Sequence, residues 1–200
     1  MEFDMSQTLS SKALDQLFLE ARSHNAWFDR PVTDGQLEQL YGLLRQGPTS
    51  NNCSPARFVF VRTPEAKQRL LPALKGYNGD KMLGAPVTVI VAYDCQFYER
   101  LPELFPIYDA GAVYRENPQA AYVGALRNGS LQGAYLILAA RALGLDCGPM
   151  SGFDNAQVDV EFFSDGRWKS NFLCCLGYGD PQKLRPAGIR LGFEETCQLV

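Results

Sequence analysis

The sequence predicts an α+β domain. Only three segments carry strand patterning, they do not alternate with helices as βαβ units would, and one long helical segment is apolar almost all round between Leu131 and Leu143. The expected order is ααβαβ, a lid, α, α, β and a tail.

A first helix is expected from about Ser11 to Arg22, with Leu14, Leu17, Phe18 and Ala21 on one face. Thr33-Asp34-Gly35-Gln36 matches a capping box, and Leu37, Leu40, Tyr41 and Leu44 follow at helical spacing until Gly47-Pro48. A loop of small polar residues runs from Pro48 to Pro55 and leads into a strand, Arg57 to Arg62. Thr63-Pro64 opens a third helix that Pro72 ends or kinks. Asn78 to Leu83 reads as one helical turn, and Val87 to Ala92 as the most apolar strand. Residues 94–118 lack periodicity but hold three prolines and five aromatics, so they are read as a lid or substrate loop. A helix spans about Gln119 to Leu143 and ends at Gly144. Its apolar stretch is interrupted only by Gln132 and Arg141, so it is expected to be central or at a subunit interface. Asp154-x-x-Gln157 starts a short helix through Phe162, and Trp168 to Tyr178 forms the last strand. The tail beyond Pro181 is basic.

Composition narrows the function classes. The 200 residues are 46% hydrophobic and 20% charged, with a net charge of −3 and no like-charge run, which argues against a nucleic-acid or anionic-membrane binder. The longest apolar runs, 85–93 and 133–140, fall far short of the ~18 residues of a membrane helix. The segment MEFDMSQTLSS has neither part of a signal peptide, so residues 1–10 read as a flexible arm and 11–200 as one domain. The six cysteines lack metal or redox spacing and read as reduced, buried small hydrophobes in a cytoplasmic protein. His24 is the single histidine, which excludes a histidine metal site and leaves the difficult chemistry to a bound cofactor.

Specific motifs are sparse. Gly177-x-Gly179 lacks a dinucleotide fingerprint's third glycine, there is no Walker loop, and Glu99 and Glu103 read as a solvated helix face. Anion binding has more support: Arg22-Ser23-His24 follows a helix, and Lys183 and Arg185 lie in the tail, so the two clusters can clamp a phosphate if they meet. Scattered surface arginines are the alternative.

Five segments in order change the reading: Ala21-Arg-Ser-His-Asn-Ala-Trp-Phe-Asp29, Gly47-Pro-Thr-Ser-Asn-Asn-Cys-Ser-Pro55, Asn78-Gly-Asp-Lys-Met-Leu83, Leu143 to Asp154, and Leu176-Gly-Tyr-Gly-Asp180. Together they make the chain resemble the FMN-dependent nitroreductase superfamily over about residues 13–198. Asn52-Cys-Ser-Pro-Ala-Arg57, Phe97 to Pro102 and Gly148 to Asp154 are similar to the branch containing malonic semialdehyde reductase of pyrimidine degradation. The resemblance implies a small mixed sheet flanked by helices, with the long helix at a homodimer interface. It implies FMN as cofactor, NADH or NADPH as donor, and ping-pong hydride transfer through flavin N5 to a small aldehyde such as malonic semialdehyde. A quinone or nitroaromatic acceptor, or a flavin-binding module without turnover, stays open.

The resemblance also implies roles. Arg22, with Ser23 and His24, would meet the FMN phosphate, and Lys183 and Arg185 would close on it. Asn78 and Lys81 would approach the flavin pyrimidine edge, and Ser151 and Gly152 flavin N5. Thr49, Ser50 and Asn52 would reach the partner subunit's flavin. His24 reads either as a phosphate or ribityl neighbour or as a structural histidine. Ala26, Ser54 and Ala56 depart from the family pattern. The small residues Gly133, Ala134, Ala139, Ala140 and Ala142 would let a partner helix approach closely, so glutamate at Leu136 or Ala140 is expected to cost solubility and flavin together.

Overall fold

The computed structural model describes residues 8–200, so most of the expected arm at 1–10 lies outside the described residues. Helix α1 (Ser11–Leu14) is capped by Ser10 and continues as a π-type turn through Asp15–Leu19. It ends three residues earlier than expected, and none of its residues is fully buried, so packing does little to extend it. Helix α2 (Asp34–Leu44) begins with the expected capping box: Gln36 N–H donates to Thr33 Oγ1, and Thr33 N–H donates to Gln36 Oε1. Strand β1 (Ala56–Val61) follows, then α3 (Pro64–Leu70) with Thr63 as cap, α4 (Asn78–Gly84) and β2 (Val87–Asp94).

The segment 94–118 is not a bare loop. It holds a 3₁₀ turn (Phe97–Arg100) and helices α5 (Leu101–Leu104) and α6 (Ala112–Glu116). Buried Phe97, Leu101 and Ala110 join Cys53, Tyr93 and Ala125 in a satellite core. Helix α7 (Pro118–Ala142) is capped by Asn117, and α8 (Asn155–Phe162) by Asp154. Strand β4 (Trp168–Gly177) precedes the tail, which holds a 3₁₀ turn (Pro181–Lys183) and a short α9 (Phe193–Thr196).

A fourth strand, β3 (Asp146–Met150), escaped the sequence reading. Its sequence, Asp-Cys-Gly-Pro-Met, carries Gly and Pro where strand residues are expected, and such residues are tolerated at a sheet edge. The order is β1-β2-β4-β3, which places Pro149 on an edge. All three strand pairings are antiparallel, so the expected mixed sheet is corrected. The parallel element is a single bridge from Ser23 to Cys147 on the β3 edge.

Helix α7 lies against this sheet. A Cβ at Gly133 would stand 2.5 Å from the Phe172 ring, so the close approach needs glycine. Leu136, Ala139 and Ala140 are buried in the chain's own core with Val89, Val91 and Leu176. The expectation that Leu136 and Ala140 face a partner is therefore corrected; the exposed side of α7 carries Leu131, Ala134 and Tyr135.

Candidate functional site

The N-terminal corner of β3 is where the phosphate-clamp residues gather. The His24 amide donates to Cys147 O at 2.9 Å, and Phe28 N–H to Tyr178 O at 2.8 Å, lacing the segment after α1 to the sheet edge and the 177–180 turn. Asp146 binds both partners of that junction: Oδ2 accepts from Gly179 N–H at 2.8 Å and Oδ1 lies 3.4 Å from His24 Nε2. His24 is 6% exposed, and its Nδ1 is buried without a partner in the protein. A Cβ at Gly179 would overlap the His24 ring, so this packing requires glycine there.

Arg22 donates to the Arg185 carbonyl across 163 residues, so the two sequence clusters do meet. They line a cleft of about 560 Å³ that also holds Ser23, Arg141 and Arg190. Lys183 sits in the exposed 3₁₀ turn Pro181–Lys183 and is not part of the cleft wall. Arg141 and Arg190 were missed as site residues. The signal for Arg141 was its charge inside an otherwise apolar helical stretch; it is held by donating to Leu17 O at 2.9 Å. The Arg185 guanidinium lies 4.8 Å over the Tyr77 ring and donates to its hydroxyl.

Beside this cleft Lys81 enters the fold from α4. It is 5% exposed, and its Nζ donates to Pro149 O at 3.3 Å. Among the described residues it has no ion-pair partner. Burial pushes its ammonium pKa down, and Arg185 pushes the same way, while the neighbouring thiols and Tyr77 oppose. A Cβ at Gly148 would stand 2.5 Å from both Lys81 Cε and His24 O, so glycine makes room for the lysine stem. Asn78 Nδ2 donates to Gly152 O at 2.9 Å, and a Cβ at Gly152 would lie 2.5 Å from that nitrogen. Ser151, next to it, is exposed. Arg22, Ser23, His24, Asn78, Lys81, Ser151, Gly152 and Arg185 thus share one edge of the sheet.

Thr49, Ser50 and Asn52 do not join them. Their loop enters β1 at the opposite edge and the opposite end, since Ala56 pairs with Tyr93 whereas Gly148 pairs with Cys175 and through it with Thr88. Three strand spacings across and five residues along put the two groups about 22 Å apart. Three residues of the loop have left-handed backbone: Asn51 at φ 50°, Asn52 at 52° and Ser54 at 39°. Beside it lies a cleft of about 430 Å³ lined by Cys53, Ser54, Arg57, Arg100 and Trp168.

Other candidates resolve as structure. Glu99 pairs with Arg167 and Glu103 with Arg100, each an exposed ion pair. Buried Asp94 holds Arg57 at 2.7 Å and Arg167 at 3.2 Å. All six cysteines are free of disulfides; four are buried, but Cys95 is half-buried and Cys197 exposed, so the buried reading holds only in part. Burial pushes the Cys53 thiol up to about 11 and Cys175 to about 12, which removes them as nucleophiles. No helix among the described residues is long and apolar enough to cross a membrane, and none of their acidic, histidine and cysteine side chains cluster as metal ligands.

Comparison with known proteins gives a consistent result. A relative from Rhodopseudomonas palustris (strain TIE-1), named "Putative NADH dehydrogenase/NAD(P)H nitroreductase", is 56% identical over 98% of this chain and 100% of its own. A similarly named protein of Ralstonia nicotianae is 54% identical over 96% of this chain and 99% of its own. Among solved structures, a nitroreductase-like protein of Bacillus subtilis superposes with a TM-score of 0.85 at 22% identity, covering 96% of this chain and all of that one. A protein of Exiguobacterium sibiricum, solved in complex with FMN, superposes with a TM-score of 0.83 at 19% identity, covering 98% of this chain and all of that one. The nitroreductase family model matches residues 19–178, and the chain belongs to the nitroreductase family.

Proposed function

We propose that this protein is an FMN-dependent NAD(P)H oxidoreductase of the cytoplasm, working as a homodimer. The observation that carries the reading is the meeting of Arg22 with Arg185 in a cleft that adjoins the buried, carboxylate-free Lys81. A four-arginine cleft suits a terminal phosphate, and the buried ammonium suits an electron-rich carbonyl edge. Asn78, which donates to Gly152 O, and the exposed Ser151 stand on the same edge as Lys81, and His24 Nδ1 is left without a protein partner there. The residues therefore fit FMN: Arg22, Ser23 and Arg185 would hold its phosphate, Lys81 and Asn78 its pyrimidine edge, and the 151–152 backbone its central ring. Bound FMN supplies a two-electron relay between nicotinamide and acceptor. The protein's part is to bind, orient and supply positive charge.

For the acceptor we propose a small aldehyde such as malonic semialdehyde. The support is that the motifs 52–57 and 97–102 adjoin: Arg57 and Arg100 share the 430 Å³ cleft, and Asn52 Nδ2 donates to Leu104 O just beyond the second motif. The relatives' names, which include NAD(P)H nitroreductase, favour a nitro acceptor instead. A purified sample should be yellow, release FMN rather than FAD on chromatography, and oxidise NAD(P)H faster with one acceptor class of a panel. Release of FAD, or no NAD(P)H oxidation with any acceptor, would overturn the reading.

A further inference from the structure

Two amides are buried on α7, on the face that packs against the chain's own core. Asn128 is 3% exposed and Gln132 is 4% exposed, one turn apart on α7 and so on the same face. Burying an amide is costly unless its hydrogen bonds are made. Here each side-chain oxygen accepts from one backbone N–H of the same loop: Asn128 Oδ1 from Ser50 N–H at 2.8 Å, and Gln132 Oε1 from Ala56 N–H at 2.8 Å. Asn128 Nδ2 returns to Gly124 O, which fixes the amide's direction. Between these two anchor points lie Asn51, Asn52 and Ser54, all non-glycine and all at positive φ. Such backbone persists only where its surroundings over-determine it. Thr49 Oγ1, accepting from Ser54 N–H at 3.1 Å, closes the loop on itself.

We propose that Asn128 and Gln132 are positioning residues, which pin both ends of the strained 50–56 loop to α7 and so aim the exposed Ser50 and Asn52 out of their own subunit. This rests on the reading that the loop reaches the partner subunit's cofactor. A helix core has no use for two amides at that face; an apolar pair would pack as well, and the loop would then relax toward ordinary backbone.

Gln132→Met keeps side-chain length and removes the acceptor of the Ala56 N–H. On the holoenzyme, Gln132→Met should raise the FMN Kd and the acceptor KM about fivefold to tenfold, the scale of one hydrogen bond, with kcat less affected. Its circular dichroism and oligomeric state should be unchanged. Asn52→Ala tests the underlying reading directly. An unchanged FMN Kd in Asn52→Ala and Ser50→Ala would sink that reading, and the proposal with it. A weakened Kd in the loop variants beside wild-type Kd and KM in Gln132→Met would overturn the positioning role alone. Should Gln132→Met not fold, hydrogen exchange on the wild-type holoenzyme decides: the Ser50 and Ala56 amides should be protected, and exchange at the free-peptide rate overturns the proposal.

Discussion

Replacing Lys81 by methionine should move cofactor chemistry and fold stability in opposite directions. In the protein alone the ammonium is almost fully buried, its acceptor is Pro149 O at 3.3 Å, and no carboxylate among the described residues pairs with it. Burial lowers its pKa, so the folded state binds that proton less tightly than the unfolded chain. The resulting penalty is complete below the folded pKa and is relieved as pH rises from there toward the unfolded value of about 10.4. Methionine of similar length removes the penalty at a packing cost under about 1.5 kcal/mol. The apoprotein should therefore melt no lower than wild type near neutral pH, with its relative advantage shrinking in alkali. With FMN bound, the variant lacks a charge-assisted hydrogen bond worth about 1.5–3 kcal/mol. At roughly 30 mV per 1.4 kcal/mol for two electrons, the flavin midpoint should fall by about 30–65 mV. Spectroelectrochemical titration of the holoprotein and thermal melts of the apoprotein read the two effects separately. An unchanged or raised potential would refute the placement of Lys81 at the electron-rich edge. An apoprotein Tm lower by more than about 6 °C, near 2 kcal/mol for a chain this long, would refute the account of its burial.

Arg22→Ala should weaken FMN binding by about 2 kcal/mol or more, near thirtyfold, in a fluorescence titration, while Cys174→Ala and Cys175→Ala, which sit in strand core, should keep wild-type affinity. Gly179→Ala forces a Cβ into the His24 ring and should cost about 3 kcal/mol in chemical denaturation, with FMN affinity lost alongside; a change under about 1 kcal/mol would show that the turn can shift freely.

What the sequence made legible depended on how local the physics was. The boundaries of α2, α3, α7 and α8 were readable because Thr33, Thr63 and Asp154 cap the helices they precede and Gly144 follows α7. Strands β1, β2 and β4 announced themselves through β-branched and aromatic runs. Strand β3 was hidden because its edge position tolerates Gly148 and Pro149, and Gly148 exists to admit Lys81, a requirement only the folded chain displays. The meeting of Arg22 with Arg185 was foreseeable as chemistry, but the addition of Arg141 and Arg190 was not, since neither lies in a motif. The face of α7 was misread for a related reason. An apolar cylinder does not say which stripe its own sheet takes, and the sheet takes Leu136 and Ala140, on the same stripe as the buried amides.

That correction changes how assembly must be tested. Glutamate at Leu136 or Ala140 would place a charge in the chain's own core, so its failure to fold would say nothing about a dimer. The outer stripe is the informative one: Leu131 and Tyr135 are 47% and 37% exposed on α7, and Phe18 and Leu19 beside α1 and Ile189 and Leu191 in the tail are also uncovered. Ala56, where the loop bearing Thr49, Ser50 and Asn52 enters β1, lies about 22 Å from Gly148, beside Lys81, by strand geometry. On the proposed reading a two-fold copy brings each loop to the other's site. An interface that joins subunits obligately buries roughly 2,000–5,000 Å², so Leu131→Glu should yield a folded but colourless monomer, and wild type should sediment as twice 22.2 kDa at low micromolar concentration. A wild-type 22.2 kDa species that stays yellow and turns over NAD(P)H would mean that one chain completes the site, and that the polar loop serves something other than the cofactor.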